Sequence, residues 1–331
     1  MCDGNAYPVL AIRPYQAMCL ICAFGEGAGG PKDGRLKEIL DAVREYPDRP
    51  IALNCNAGDV YVYQEPGTAE DTPGSPEFNR KRDLDILTKL DLAPGSILPA
   101  RTVLLSVIHN VATAAGICGY DTVTSDAWRG CPKAKSGFFE KGVAKGIDVI
   151  IPPRGEDEMA RDKVASIKDS LEADAIAIRP HILVCAVSQY GNGIRPPFKP
   201  DNLPEMMQHI LKHPDTLIKL APGADWMMCG PCPARVADLN ACVCSPISSG
   251  GLFNEMKDLN VLQALGLTYG TTMKAKDMYK LIFERIPKVN GVCALTNDLP
   301  NTSVWRDPCG TKADPCPGYA KGRAELMPLF A

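Results

Sequence analysis

Fourteen cysteines stand in this chain, and most have Gly, Pro or another Cys as neighbours. Thiols in such turns bind soft metals or carry redox chemistry, whereas packing cysteines sit on apolar helix faces. The densest group is Cys229-Gly230-Pro231-Cys232, followed after nine residues by Cys242 and then Cys244. Gly and Pro inside the Cys-x-x-Cys bend the backbone so that both sulfurs can point at one ion. Cys316 follows later, in Asp314-Pro315-Cys316-Pro317. A thioredoxin-type redox pair would need a βαβ setting around the knuckle, and none is read there.

Three further cysteine positions occur twice, as Cys19 and Cys185, Cys118 and Cys293, and Cys131 and Cys309. They belong to an internal repeat. Ala11-Ile12-Arg13-Pro14 returns as Ala177-Ile178-Arg179-Pro180, and at the same offset Gly25 matches Gly191 and Asp59 matches Asp225. Beyond an insertion, Phe78-Asn79, Asp83-Leu84, Leu87 and Leu90 match Phe253-Asn254, Asp258-Leu259, Leu262 and Leu265. Repeat one covers residues 8–150. Residues 151–173 form a Pro-Pro linker and a charged helix, and repeat two, with a Cys-rich insertion, covers 174–331.

Three shared thiolates and one more ligand complete the Cys₄ set of an iron–sulfur cluster, and equally of tetrahedral zinc. The fourth ligand is open. Repeat one offers Cys22 or Cys55, while the matching positions in repeat two are Ser188 and Ala221. Repeat two instead offers the knuckle, Cys242, Cys244 or Cys316. Cys19, Cys22 and Cys185 could alternatively be packing residues of apolar helices, and Cys2 a terminal residue without a role.

The elements that must position these groups are legible in outline. In each repeat a short strand (9–12, 175–178) ends at Arg-Pro, because the residue before Pro is pushed towards extended geometry. An apolar helix (15–24, 181–190) carries the first cysteine. An amphipathic helix (35–45, 203–212), a strand (51–53, 217–220) and two more helices (80–90 and 100–111; 256–265 and 275–286) follow. Leu84, Leu87 and Leu90 are read as a core stripe. The expected class is α+β, with two pseudo-symmetric helix-rich repeats, each holding a small sheet and Cys-rich loops.

Composition narrows the function. The formal net charge is -3, which asks for neither a nucleic-acid nor a membrane partner. Arg80-Lys81-Arg82, broken by Asp83 and Asp85, reads as a solvated helix face. No apolar run reaches the roughly 18 residues of a membrane span. The N-terminus carries no positive charge ahead of its apolar stretch, so a cytoplasmic, reducing location is expected, where structural disulfides are rare. Gly25-Glu26-Gly27-Ala28-Gly29-Gly30 follows a helix, so it lacks the strand context of a dinucleotide loop. Among four histidines, His109, His209 and His213 fall on helices away from the thiols. His181, Arg179 and Arg13, beside the first cysteine of each repeat, are the candidate catalytic residues. An arginine there could balance a thiolate cluster, bind an anionic substrate, or pair with Asp59 or Asp225. Those two aspartates could equally be turn caps.

The run Arg179-Pro180-His181-Ile182-Leu183-Val184-Cys185, then Gly191-Asn192-Gly193, resembles the opening of a family of short prokaryotic proteins described as predicted iron–sulfur proteins. These begin Arg-Pro-His-His-Leu-Leu-Cys, carry Gly-x-Asp-Asp-x-Cys, and end in a Cys-rich tail with a Trp. Gly223-Ala224-Asp225-Trp226-Met227-Met228-Cys229 is similar to the second motif, and Cys293, Trp305 and Cys309 to the tail. Ile182 replaces the second His, and repeat one has Tyr15 and Gln16 at both His positions. The chain thus resembles a tandem duplication of that unit. The resemblance implies that Cys185, Cys293, Cys309 and Cys229 are ligands, and it brings no reaction.

The expectation is an iron–sulfur protein with one or two clusters per chain, of the 4Fe–4S type. An open iron would act on a small anionic or sulfur-containing substrate, as in a lyase or desulfurase. Full thiolate ligation would instead serve electron transfer to a redox partner, or stability. The alternative is a zinc-stabilised binding module without catalysis.

Overall fold

The computed structural model describes residues 8–27, 29–55, 57, 75–236, 240–243, 250–293 and 316–330. The chain is α+β and divides into two units, Met1–Pro153 and Arg154–Ala331. The boundary falls at Pro152-Pro153, where neither a helix nor a central strand can continue.

In the first unit, β1 (Leu10–Ile12) leads through extended Arg13 into α1 (Pro14–Glu26), whose first residue is the proline. That position suits Pro because its missing N–H would be unpaired anyway. The helix α2 (Gly34–Glu45) starts where the Asp33 carboxylate accepts from the Leu36 amide. β2 (Pro50–Leu53) then runs parallel to β1, with Leu10 opposite Ile51 and Ile12 opposite Leu53. After α3 (Pro76–Leu90), capped by Ser75, β3 (Ile97–Pro99) adds antiparallel to β2 and passes directly into α4 (Ala100–Asn110). α5 (Phe138–Lys145) closes the unit. Ile12, Ile21, Phe24, Ile39, Ile51 and Leu53 centre its core.

The second unit opens with the charged helix α6 (Glu156–Glu172), so the helix expected in the linker belongs to this unit. Its buried Ser166 and Ser170 face the interior. β4 (Ile176–Ile178), α7 (Pro180–Gly191), α8 (Leu203–Lys212) and β5 (Leu217–Leu220) follow. The short helix α9 (Trp226–Cys229) and the hairpin β6 (Arg235–Val236) and β7 (Ala241–Cys242) come next. α10 (Gly250–Leu265), β8 (Thr272–Lys274), α11 (Ala275–Arg285), α12 (Asn290–Cys293) and α13 (Pro317–Leu326) complete it. The main sheet has the order β4-β5-β8, parallel then antiparallel, as β1-β2-β3 has in the first unit. Among the described residues, no helix is long and apolar enough to cross a membrane.

Two expectations about α3 need correction. Leu84 is 37% exposed, and Ile86 joins Leu87 and Leu90 in the core instead. The basic triplet is not a uniformly solvated face either. Lys81 is exposed and pairs with Asp85, but Arg82 is 0% exposed. The buried side of α3 carries Asn79, Arg82 and Asp83 beside its apolar residues. A stripe search that scores only apolar residues therefore lands one position off.

The tail helices α5 and α13 also escaped the sequence reading, because glycines lower helix propensity by about 1 kcal/mol each. Here they allow close helix crossing. A Cβ on Gly25 would lie 1.7 Å from the Phe138 carbonyl oxygen, and one on Gly142 2.0 Å from that of Ile21. In the second unit, a Cβ on Gly191 would lie 1.9 Å from the Gly318 oxygen and one on Gly322 2.1 Å from that of Val187. α1 meets α5, and α7 meets α13, at backbone contact. Each tail is thereby drawn onto the helix that bears the first cysteine of its unit.

Candidate metal centre

Cys19 and Cys22 are three residues apart on α1, so they share a helix face. The turn after α4 supplies the next thiol. Glu140 of α5 accepts from the Thr113 hydroxyl at 2.7 Å and the Ala114 amide at 2.9 Å, pinning the start of that turn. The Cys118 amide then donates to the Ala114 oxygen, and the Cys118 oxygen accepts from the Cys131 amide at 2.8 Å. Gly130, at φ +76, permits this approach, since a Cβ there would fall 2.6 Å from the Cys118 oxygen. The backbone thus ties the second and third shared cysteines together, and the crossing with α5 brings them to α1.

The result is one small pocket of about 30 Å³ whose lining includes Cys19, Cys22, Cys118 and Cys131, with Arg82 and Lys133 also on its wall. The three positions shared between the repeats do converge in the first unit, and the fourth sulfur beside them is Cys22. Cys55 lies elsewhere, buried near Asp83, Arg13 and Arg80, and burial pushes its thiol up to about 11.

Burial dominates the electrostatics of this pocket. It pushes the Cys19 thiol far above its ordinary range, with the Arg82 guanidinium opposing and the other three thiols adding to the rise. Cys118 is pushed up to about 12 and Cys22 to about 11, again by burial first. Arg82 is held over the Tyr15 ring at 3.7 Å and donates to Asn79 at 2.8 Å. Lys133 pairs with Glu26 at the pocket's rim. Without a cation the Cys19, Cys22 and Cys118 thiols stay protonated at neutral pH, and a bound cation would draw them out as thiolates.

In the second unit the cysteines form two neighbourhoods. Cys185 lies on α7, Cys293 ends α12 and Cys316 caps α13. The Cys316 sulfur is 3.4 Å from the Ser188 hydroxyl, one turn beyond Cys185. The other neighbourhood is the knuckle. The Cys229 thiol is pushed well up by burial, then by Asp225 and by the Cys232 and Cys242 thiols. Arg154 donates to the Gly230 oxygen at 2.9 Å and the Cys232 oxygen at 2.8 Å, bracing the bend. The Asn254 amide donates to the Cys242 sulfur at 3.3 Å. Cys2, Cys244, Cys309, Asp59 and Trp305 lie outside the described residues. Among the described residues, Cys19, Cys22, Cys55, Cys118, Cys131, Cys229, Cys232 and Cys316 form no disulfide. Among the described residues, no three Cys, His, Asp or Glu side chains stand together closely enough to hold a metal ion.

The candidate catalytic residues sit one layer inward. Arg13 donates to Asp83 through Nε at 2.7 Å, and the Tyr15 amide donates to the other carboxylate oxygen at 3.0 Å. Arg179 does the same with Asp258 at 2.8 Å, with the His181 amide at 2.9 Å on the second oxygen. His181 Nδ1 is 2.6 Å from that oxygen too, and burial foremost lowers the pKa of the ring. The ion pairs are therefore made with Asp83 and Asp258. Asp225 serves as a cap, accepting from the Met228 amide at 2.8 Å. His209 and His213 lie on a groove with Tyr190, Arg195 and Met206 that has no cysteine in its lining.

Sequence reading missed Arg82, Asp83 and Asp258 as site residues. The signal available was the repeat itself. Asp83 matches Asp258, and the cation at Arg82 is kept as Lys257, which is 2% exposed.

Fold and pocket define an α+β chain with four thiols gathered in its first unit. No family model, no curated protein and no solved structure matches the chain, so the family resemblance rests on the motifs that carry it.

Proposed function

We propose that the chain is an iron–sulfur protein and that Cys19, Cys22, Cys118 and Cys131 hold the cluster of the first unit. One observation carries this reading: those four sulfurs line a single pocket beside a buried arginine. The donor set fits. Four cysteines are what a 4Fe–4S cluster takes, and such a cluster supplies one-electron transfer when bound. Arg82 and Lys133 would offset the negative charge of four thiolates. A fourth thiol in the lining favours electron transfer or stabilisation over an open iron acting on a substrate. The shared strand order of the two sheets and their paired glycine crossings support descent from a duplicated unit.

A second reading concerns the knuckle. Cys229 and Cys232 lie in a Cys-x-x-Cys turn and Cys242 in the two-stranded hairpin after it, three of the four ligands that a structural zinc ion would gather on binding.

The test is iron, zinc and acid-labile sulfide per chain on protein purified without oxygen, with a visible spectrum. Iron and sulfide in equal amounts are expected, with a brown chromophore, and Cys131→Ser should remove the first unit's share. Stoichiometric zinc without sulfide would replace the cluster reading with the zinc module.

A further outcome follows from the raised thiols. Titrating the metal-free protein with Zn²⁺ at pH 7 should release about one proton per thiol that binds, and apparent affinity should rise with pH. Calorimetry in buffers of different ionisation enthalpy reads this directly. Binding without proton release would mean that the thiols are not the ligands.

A further inference from the structure

The two units do not keep the same fourth cysteine, and the reason lies in the helix crossing. In the first unit Cys22 stands one turn beyond Cys19 on α1. The matching residue on α7 is Ser188, so that unit lacks the helical sulfur. The glycine contacts align the tails independently of the cysteines. Gly25 faces the Phe138 oxygen and the Gly142 nitrogen, while Gly191 faces the Gly318 oxygen and the Gly322 nitrogen. Phe138 therefore corresponds to Gly318, and Gly142 to Gly322. Under that alignment Cys316 corresponds to Ser136. The first unit has Cys on the helix and Ser in the tail; the second has Ser on the helix and Cys in the tail.

Direct contact supports the exchange. The Cys316 sulfur lies 3.4 Å from the hydroxyl of Ser188, the residue that matches Cys22 in the repeat. Burial foremost raises the pKa of the Tyr319 phenol, with the Cys293 and Cys316 thiols adding to the rise, and the phenol is fixed by its 2.6 Å hydrogen bond to the Ile286 oxygen. Cys185 lies on the same face of α7 as Ser188. Serine hydroxyl is a poor ligand for soft iron beside thiolate, so the sulfur's place matters more than the helix it comes from.

We infer that Cys316 supplies the second unit with the sulfur that Cys22 supplies to the first, so that Cys185, Cys293 and Cys316 form a second centre separate from the knuckle. This rests on the iron–sulfur reading of the first unit.

The exchange predicts a rescue. Iron, sulfide and zinc are measured on the full chain, purified without oxygen, for the unsubstituted protein, Cys316→Ser and the double variant Ser188→Cys/Cys316→Ser. Cys316→Ser should lose about half of the iron and sulfide, one of two cubane centres, with helical circular dichroism retained. The double variant, which rebuilds the first unit's arrangement, should regain it. Full metal content in Cys316→Ser would overturn the assignment, and so would a double variant that folds yet stays at half. An unsubstituted protein with zinc but no sulfide would overturn the iron–sulfur reading alone, and loss and rescue of zinc in the same variants would still decide for or against Cys316. A chain with no bound metal would overturn both.

Discussion

Asp258→Ala is expected to destabilise the second unit by about 3–5 kcal/mol, the cost of removing one partner from a buried ion pair. The Arg179 side chain is 3% exposed and that of Asp258 0%. Both carboxylate oxygens are engaged, one by the guanidinium at 2.7 and 2.8 Å, the other by the His181 amide and ring. Truncation strands a buried cation and an amide at the start of α7, where water cannot replace the carboxylate. Because α7 carries Cys185, metal content of that unit should fall with stability. Asp258→Asn retains one acceptor oxygen, so it should cost less than alanine. Urea unfolding checks this, with exposed Lys280→Ala as the control. A midpoint for Asp258→Ala no lower than the control's would show that the pair does not hold the helix.

Gly142→Ala should be a strongly damaging single-methyl change in the first unit. Its Cβ would lie 2.0 Å from the Ile21 oxygen and 2.9 Å from the Ile21 side chain. No rotamer change relieves a backbone clash, so α1 and α5 must separate, at about 1–3 kcal/mol or more. The gain of about 1 kcal/mol in helix propensity offsets only part of this. The functional effect should exceed the stability effect. Cys19 and Cys22 ride on α1, while Cys131 lies in the segment leading to α5, so separation opens the pocket. Gly34→Ala is the control: nothing lies within 4 Å of its Cβ position. Metal analysis and thermal unfolding should show Gly34→Ala unchanged and Gly142→Ala depleted. If Gly142→Ala keeps both its metal and its melting temperature, the crossing does not assemble the site.

Most of the framework was legible from residues. Arg-Pro marks the step from strand to helix twice, and α8 and β5 begin and end where their apolar spacing and turn residues put them. Local signals suffice there because each depends on neighbours within a few positions. The pairing of Cys19 with Cys118 and Cys131 was legible too, but through the repeat, which reports which residues persist together. Neither source could choose between Cys22 and Cys55. Both are cysteines of the same repeat without a cysteine counterpart in the other, yet one lines the pocket with Cys118 and Cys131 and the other lies near Asp83 and Arg13.

The amino-acid sequence by itself determined the α+β order of elements, the boundary at Pro152-Pro153, and the three thiol positions common to both halves. Those properties follow from backbone restriction, apolar periodicity and repetition, all of which act along the chain. The tertiary structure alone decided that Arg82 is buried beside the thiols, that Asp83 and Asp258 hold the arginines, and that Cys316 stands against Ser188. Each of those depends on two segments that approach only when helices pack, and for Cys316 and Ser188 the approach is set by the glycines of the α7–α13 crossing, which leave space. A missing side chain has no pattern of its own until the helix that needs the space is present.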